Sequence, residues 1–147
     1  MESERETRKL RIDPLLKAAG WTIVPFSPIL RLPVNENLAI EEYPTANGPA
    51  DYALCINGEI VGVVEAKKVT LGPQNVLTQS ERYSRGLNGT SYNFDGRYVP
   101  FLYSTNGEVI WFHDVRHQLS RSRKVTHFHT PSSLTELLER DFEKASN

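Results

Sequence analysis

One cysteine, Cys55, stands among 147 residues, so no internal disulfide can form, and no ligand cluster surrounds it. No apolar run approaches the roughly 18–20 residues that cross a bilayer, and residues 1–11 are too polar for a secretion signal. A secreted or membrane-embedded protein is thereby excluded, and a reducing, cytoplasmic setting is expected. An excess of positive charge is missing too: 17 Lys and Arg against 18 Asp and Glu leave a formal charge of -1. The chain therefore lacks the cationic surplus with which proteins grip polyanions unaided. Internal repeats and low-complexity tracts are absent. With 39% hydrophobic, 24% charged and 10% aromatic residues, the composition is that of a folded protein, and its length suits a single domain, residues 1–147.

What the sequence contains is a succession of helix and strand signals. Leu10, Ile12, Leu15, Leu16 and Ala19 recur near a helical period across residues 3–19, ahead of Gly20, so an amphipathic helix is expected there, kinked or restarted at Pro14. Residues 22–32, punctuated by Pro25 and Pro28 with Pro33 beyond, suit short edge strands or irregular structure. Another short strand is expected over residues 38–43, closed by Pro44, Asn47, Gly48 and Pro49.

Residues 52–56 and 59–66 flank Asn57-Gly58, a pair that accepts the positive φ angles of a type I′ turn, and they are expected to form an antiparallel hairpin. Ile60, Val61, Val63 and Val64 make its second strand apolar on both faces, as a central strand must be. A helix over residues 73–87 follows, with Val76, Leu77, Tyr83 and Leu87 as apolar contacts. A second hairpin, residues 99–104 and 109–113, turns about Asn106-Gly107. Residues 116–129 lack clear periodicity and read as a loop or a strand near its end. Thr130-Pro131-Ser132-Ser133 then caps a C-terminal helix carrying Leu134, Leu137, Leu138 and Phe142. The fold expected is α/β, a mixed central sheet of about four or five strands flanked by helices.

The central strand ends in charge, and chemistry is expected there. Strand side chains alternate, so Glu65 and Lys67 emerge on one face and Ala66 on the other. Pairing through Asn57-Gly58 sets Asp51 roughly opposite residues 64–66, a second carboxylate beside the first. Two carboxylates and a backbone carbonyl, that of Ala66, offer an all-oxygen set suited to Mg²⁺, which keeps several waters and is completed by substrate phosphate. Lys67 can orient or help deprotonate an attacking water, or counter the charge building on the phosphate. The same residues fit a plainer account, in which Glu65 and Lys67 form a solvent-exposed ion pair at a strand end. Gln79 and Tyr83, four residues apart, share one face of the following helix and can both reach the site edge.

This arrangement resembles the PD-(D/E)xK nuclease superfamily, with Asp51 as its Asp, Glu65-Ala66-Lys67 as its second half, and Ala50 where the proline would stand. Gln79-Ser80-Glu81-Arg82-Tyr83 resembles the Q-x-x-x-Y motif of the RecB-like branch. A chain-long series resembles the N-terminal nuclease domain of type I restriction enzyme R subunits. It comprises Glu4-Arg5-Glu6-Thr7-Arg8, Ile12-Asp13-Pro14-Leu15-Leu16, Ala18-Ala19-Gly20-Trp21, Val63-Val64-Glu65-Ala66-Lys67-Lys68, Val99-Pro100-Phe101, Thr105-Asn106-Gly107 and Phe128-His129-Thr130-Pro131.

The resemblance implies a restriction-endonuclease-like core and Mg²⁺-dependent hydrolysis of phosphodiester bonds in double-stranded DNA. It implies Asp51, Glu65 and the Ala66 carbonyl as metal ligands, Lys67 acting on the attacking water, and Gln79 and Tyr83 supporting the site or the DNA backbone. It implies also an N-terminal helix glutamate near the metal, a position that Glu4 matches better than Glu6. In that family a helicase-like motor later in the same polypeptide translocates DNA using ATP, and methylation and specificity subunits complete the complex. No G-x-x-x-x-G-K-[ST] phosphate loop occurs here, so the chain is expected to be a piece of a longer one whose motor uses the ATP. Its near-neutral charge then has a reason, since other parts of the machine would deliver the duplex.

Arg8 is expected to pair with Glu4 or to contact a phosphate. Arg121, Arg123 and Lys124 form the dense basic patch of the sequence, suited to phosphate contacts or to a solvated loop. His127 and His129 have same-face strand spacing but no second ligand pair nearby for zinc. Cys55 reads as a small core residue. Two other functions fit parts of the pattern: a stand-alone RecB-like repair nuclease or junction resolvase, and an inert nuclease-like module that docks or binds DNA. The presence of Asp51, Glu65 and Lys67 together argues against the second.

Overall fold

Proline decides how the N-terminal helix is built. Pro14 has no N–H to donate and its ring crowds the carbonyl four residues back, so a regular helix cannot run through it. The chain starts as α1 (Glu4–Thr7), widens into a single π turn (Arg8–Ile12) in which the Asp13 N–H reaches back to the Arg8 carbonyl, and resumes as α2 (Asp13–Ala18) with Pro14 in its first turn. The expected kink or restart is thus a restart through a π turn, a local widening often found at functional sites. The structure, a computed structural model, describes residues 3–67, 77–117 and 119–146, without the side chains of 141–146.

The sheet has seven strands rather than four or five, in the order of the chain: β1 (Thr22–Pro25), β2 (Leu38–Tyr43), β3 (Ala50–Ile56), β4 (Glu59–Ala66), β5 (Phe101–Thr105), β6 (Ile110–Asp114) and β7 (Arg123–Val125). Both edges are short: β1, ending in Pro25, lies where edge strands or irregular structure were expected, and the three-residue β7, whose charged side chains give no periodic signal, lies in the stretch read as a loop or a strand near its end. Strands β1/β2 and β4/β5 pair parallel and the rest antiparallel, so the sheet is mixed as expected. Among the described residues, α3 (Thr78–Ser84) lies in the β4-to-β5 connection and packs on both of those strands. Pro73, Val76 and Lys68 fall outside the described residues, as does the side chain of Phe142. The C-terminal helix α4 (Pro131–Ser146) is capped by Thr130, whose hydroxyl accepts the Ser133 N–H.

The two Asn-Gly turns differ. Asn57 and Gly58 both take positive φ, 52° and 78°, as a type I′ hairpin requires. At the second turn Gly107 alone does, at 90°, while the Asn106 side chain accepts the N–H groups of Glu108 and Val109. That is an Asx-type turn, in which the side chain substitutes for the missing backbone pairing.

Alternation along the strands sorts the core into two layers. Tyr52, Leu54, Val64, Phe101 and Tyr103 face Ile12 and Leu16 of the N-terminal helices and Leu134 of α4. Ala53, Cys55, Val63 and Leu102 face the opposite layer with Leu87 and Val99. Cys55 is buried in this layer, as its apolar surroundings led one to expect. Trp21 ties the ends of the chain together by donating its indole N–H to the His129 carbonyl at 3.0 Å. Strand β4, buried from Ile60 to Ala66, is the centre of the whole.

Candidate active site

The hairpin register brings the acidic residues together. Tyr52 pairs with Val64, so the next position places Asp51 beside Glu65 at one end of β3 and β4, and Asp51 Oδ2 accepts the Ala66 N–H at 2.7 Å. Glu65 is 7% exposed, and its Oε2 is buried without a hydrogen-bond partner among the described residues. The plainer account of Glu65 as half of a solvent-exposed ion pair is therefore corrected: a strand this apolar, covered by α3, carries its terminal carboxylate into the interior. Burial first, and then the negative charge of Asp51, push the Glu65 carboxyl up to about 9, with Lys67 pulling the other way. Lys67 is half-buried at the strand end, its own N–H donating to the Thr105 carbonyl at 2.8 Å.

Asp51 has a second anchor that the sequence reading missed. The Arg8 guanidinium, 11% exposed, contacts Asp51 Oδ1 at 3.2 Å, Glu41 Oε2 at 3.4 Å, and Glu42. Successive residues of a strand normally face opposite sides, yet Glu41 and Glu42 reach the same cation. The reason is that Glu42 adopts φ 55°, a left-handed conformation that costs a non-glycine residue about 1 kcal/mol or more. Burial disfavours the Arg8 cation, but the hydrogen bond to Glu42 and the charges of Asp51 and Glu42 more than offset it, so the guanidinium stays charged. Lys9 adds contacts to Glu41 and Asp13, and Asp13 accepts the Tyr52 hydroxyl. The adjacent acidic pair Glu41-Glu42 with two basic residues on the first helix was the signal available in the sequence.

On the opposite layer, α3 presents Gln79 and Tyr83, both half-buried. Burial raises the Tyr83 hydroxyl above its ordinary value, and the charges of Glu65 and Asp51 raise it further, while its ring edge packs against Gly48, 3.6 Å from where a Cβ would stand. The helix is clamped to the loop that leads into Asp51. Ala46 donates to the Gly86 carbonyl at 2.8 Å, and Asn47 Nδ2 to the Arg82 carbonyl at 2.7 Å. A Cβ on Gly86 would stand 2.9 Å from the backbone nitrogens of Ala46 and Asn47, so this approach requires glycine.

Other expected residues lie farther off. Glu6 belongs to the capping box of α1 with Ser3, whereas the charge of Glu4 is felt at Glu65 and Tyr83. Glu4 is not joined to Asp51 and Glu65 in a ligand set: among the described residues no group of three acidic, imidazole or thiol side chains is arranged to hold a metal ion. For a hard divalent cation that keeps its waters, one or two carboxylates suffice. Arg121, Arg123 and Lys124 are exposed at the far edge of the sheet, β7 standing three strands from β4, roughly 14 Å away at normal strand spacing. Arg123 and Lys124 lie over Phe112 and Trp111. His129 bonds the Tyr103 hydroxyl through Nδ1 at 2.6 Å, and burial, then the charge of Arg123, push its pKa below the usual histidine value, while His127 is exposed.

Known proteins share this architecture. Residues 25–138 match the family described as type I restriction enzyme EcoKI endonuclease subunit second domain. The type I restriction enzyme EcoKI endonuclease subunit of Escherichia coli (strain K12) is 32% identical over 184 aligned positions, which cover 92% of this chain and 16% of that protein. The fragment structure of a putative HsdR subunit of a type I restriction enzyme from Vibrio vulnificus YJ016 superposes with a TM-score of 0.65 at 23% identity, over 92% of this chain and 25% of that one, and shows the same fold. The chain thus spans about one sixth of its curated relative and a quarter of the solved chain.

Proposed function

The chain belongs to the family of the type I restriction enzyme endonuclease subunit second domain, and on that premise we propose that its site hydrolyses phosphodiester bonds of double-stranded DNA with Mg²⁺, as the cleavage module of such an enzyme. The observation that carries this reading is the buried Glu65 carboxylate, set beside Asp51 with one oxygen lacking any partner among the described residues. A buried carboxylate in that condition is costly unless a cation joins it, and the all-oxygen donor set fits a hard one. Asp51, Glu65 and the Ala66 carbonyl would hold the ion. Bound there, Mg²⁺ supplies a Lewis acid that polarises the phosphate and acidifies a water.

The chain's own residues do the rest. The Ala66 N–H and Arg8 fix the Asp51 carboxylate from two sides. Lys67, with its main chain tied to Thr105, positions the attacking water and offsets charge on the phosphate. Gln79 and Tyr83, half-buried on the helix that packs on β4, steady the DNA backbone. ATP is used elsewhere in the parent enzyme, whose motor, methylation and specificity parts deliver the duplex; strong DNA binding by this chain alone in moderate salt would count against that division of labour. Plasmid cleavage by the complete enzyme, supplied with Mg²⁺ and ATP, tests the reading. Asp51→Ala and Lys67→Ala are each expected to lower cutting by roughly 100-fold or more. Unchanged cutting by either variant removes the proposal, and cutting that needs no ATP favours a stand-alone repair nuclease.

A further inference from the structure

Three buried serines lie where α3 meets the strands beneath it, and they differ in one respect. Ser80 donates to the Tyr103 carbonyl at 2.5 Å and Ser84 to the Glu81 carbonyl at 2.6 Å. Ser104 on β5 is 0% exposed, and its hydroxyl has no partner among the described residues. Ser104 is also the register partner of Glu65 across the parallel β4/β5 pair. Their side chains therefore leave adjacent strands on one face, with backbones roughly 4.8 Å apart. Glu65 Oε2 and Ser104 Oγ are two unpartnered buried polar atoms at a single register position. Protein interiors hold few such atoms, and a pair of them side by side calls for a common cause.

Size alone does not supply it. The helix approaches β5 closely enough for Ser80 to bond its backbone, which explains a small residue at position 104. Alanine would meet that need with no hydroxyl to bury, and Leu102, two residues earlier on the same face, is apolar. The neighbouring carboxylate gives the hydroxyl a purpose. Resting on the metal reading above, we propose that Ser104 is a positioning residue for Glu65. On cation binding its hydroxyl donates to Glu65 Oε2, a bond not formed in the structure as it stands, and so orients the other carboxylate oxygen, together with Asp51, toward the divalent ion. A ligand carboxylate held by a hydrogen bond presents its free oxygen in one direction, which is how outer groups tune metal affinity.

The test is a Mn²⁺ titration of the 147-residue chain by calorimetry, with thermal unfolding of the metal-free protein alongside, for wild type, Ser104→Ala, Ser80→Ala and Asp51→Asn. Ser104→Ala is expected to unfold at the same or a higher temperature and to bind Mn²⁺ roughly tenfold more weakly or worse. Ser80→Ala, deprived of a hydroxyl that the backbone satisfies, is expected to unfold earlier with wild-type Mn²⁺ affinity. Unaltered Mn²⁺ affinity in Ser104→Ala, alongside lost binding in Asp51→Asn, overturns the role of Ser104 and leaves the metal reading standing. Earlier unfolding of Ser104→Ala overturns it as well, by showing the hydroxyl to be structural. Wild-type protein that binds no Mn²⁺ removes both ideas together.

Discussion

Asp51 and Glu65 stand at the same end of one hairpin in surroundings of opposite kind. Around Asp51 both carboxylate oxygens are answered: one takes the Ala66 N–H, the other takes Arg8, and Arg8, whose Nε is buried without a partner among the described residues, is shared with Glu41 and Glu42. Around Glu65 little is answered, since one oxygen is unpartnered among the described residues and so is the Ser104 hydroxyl in register with it. The fold accepts a strained residue, Glu42, to complete the first arrangement, and accepts buried, unsatisfied oxygens in the second. The first fixes a carboxylate in the protein as it stands. On the proposed reading, a cation completes the second.

Substitutions that remove the cation from the paired side should have the largest effect on folding. Arg8→Leu takes the shared cation from Asp51 and Glu42 and leaves Glu41 with Lys9 alone. We expect a loss of about 2–4 kcal/mol in urea unfolding, below the top of the range for buried pairs because Glu42 is 53% exposed and can be rehydrated. An unchanged unfolding midpoint would show that the network is ornamental.

On the unpaired side the sign reverses. Glu65→Gln should stabilise the metal-free chain by about 1–3 kcal/mol at neutral pH, because it removes the cost of keeping protonated in the fold a carboxyl that ionises freely in the unfolded chain. Its pH dependence follows from the upward shift of Glu65. Between the ordinary value of 4.5 and about 9 the unfolded chain has lost a proton that the folded chain keeps. This contribution to stability is full below that window and declines as pH rises through it. Wild type should therefore weaken between pH 5 and pH 9 more steeply than Glu65→Gln; parallel curves would sink the idea. The smallest effect belongs to Lys9→Met, which breaks contacts to Glu41 and Asp13 from a side chain 44% exposed and should cost about 1 kcal/mol or less.

These two environments were unequally legible. The hairpin about Asn57-Gly58 is a local signal, and once its turn is known the approach of Asp51 to the end of β4 follows by counting along two strands. Strand β4 announced its centrality by being apolar on both faces. Arg8 was harder, because its partners lie 33 to 43 residues away and its reach depends on a π turn that Pro14 provokes. Ser104 gave no sign at all, since its meaning depends on which strand lies beside β5 and in what register, a matter settled by the crossover through α3. The strand β7 hid behind Arg123 and Lys124, whose charges suit an exposed edge and mask a period of two.

The bond between Trp21 and the backbone of His129 joins residues 108 positions apart. Every group in the proposed chemistry lies between Glu4 and Thr105, yet Leu134 of α4 shares a packed layer with Ile12 and Leu16, on the same helical run that delivers Arg8. A shortened chain ending after β6 would keep all the carboxylates and lose the floor beneath the helix that steadies Asp51. The smallest piece that holds Asp51 in place is therefore set by packing, well past the last residue of the proposed metal site.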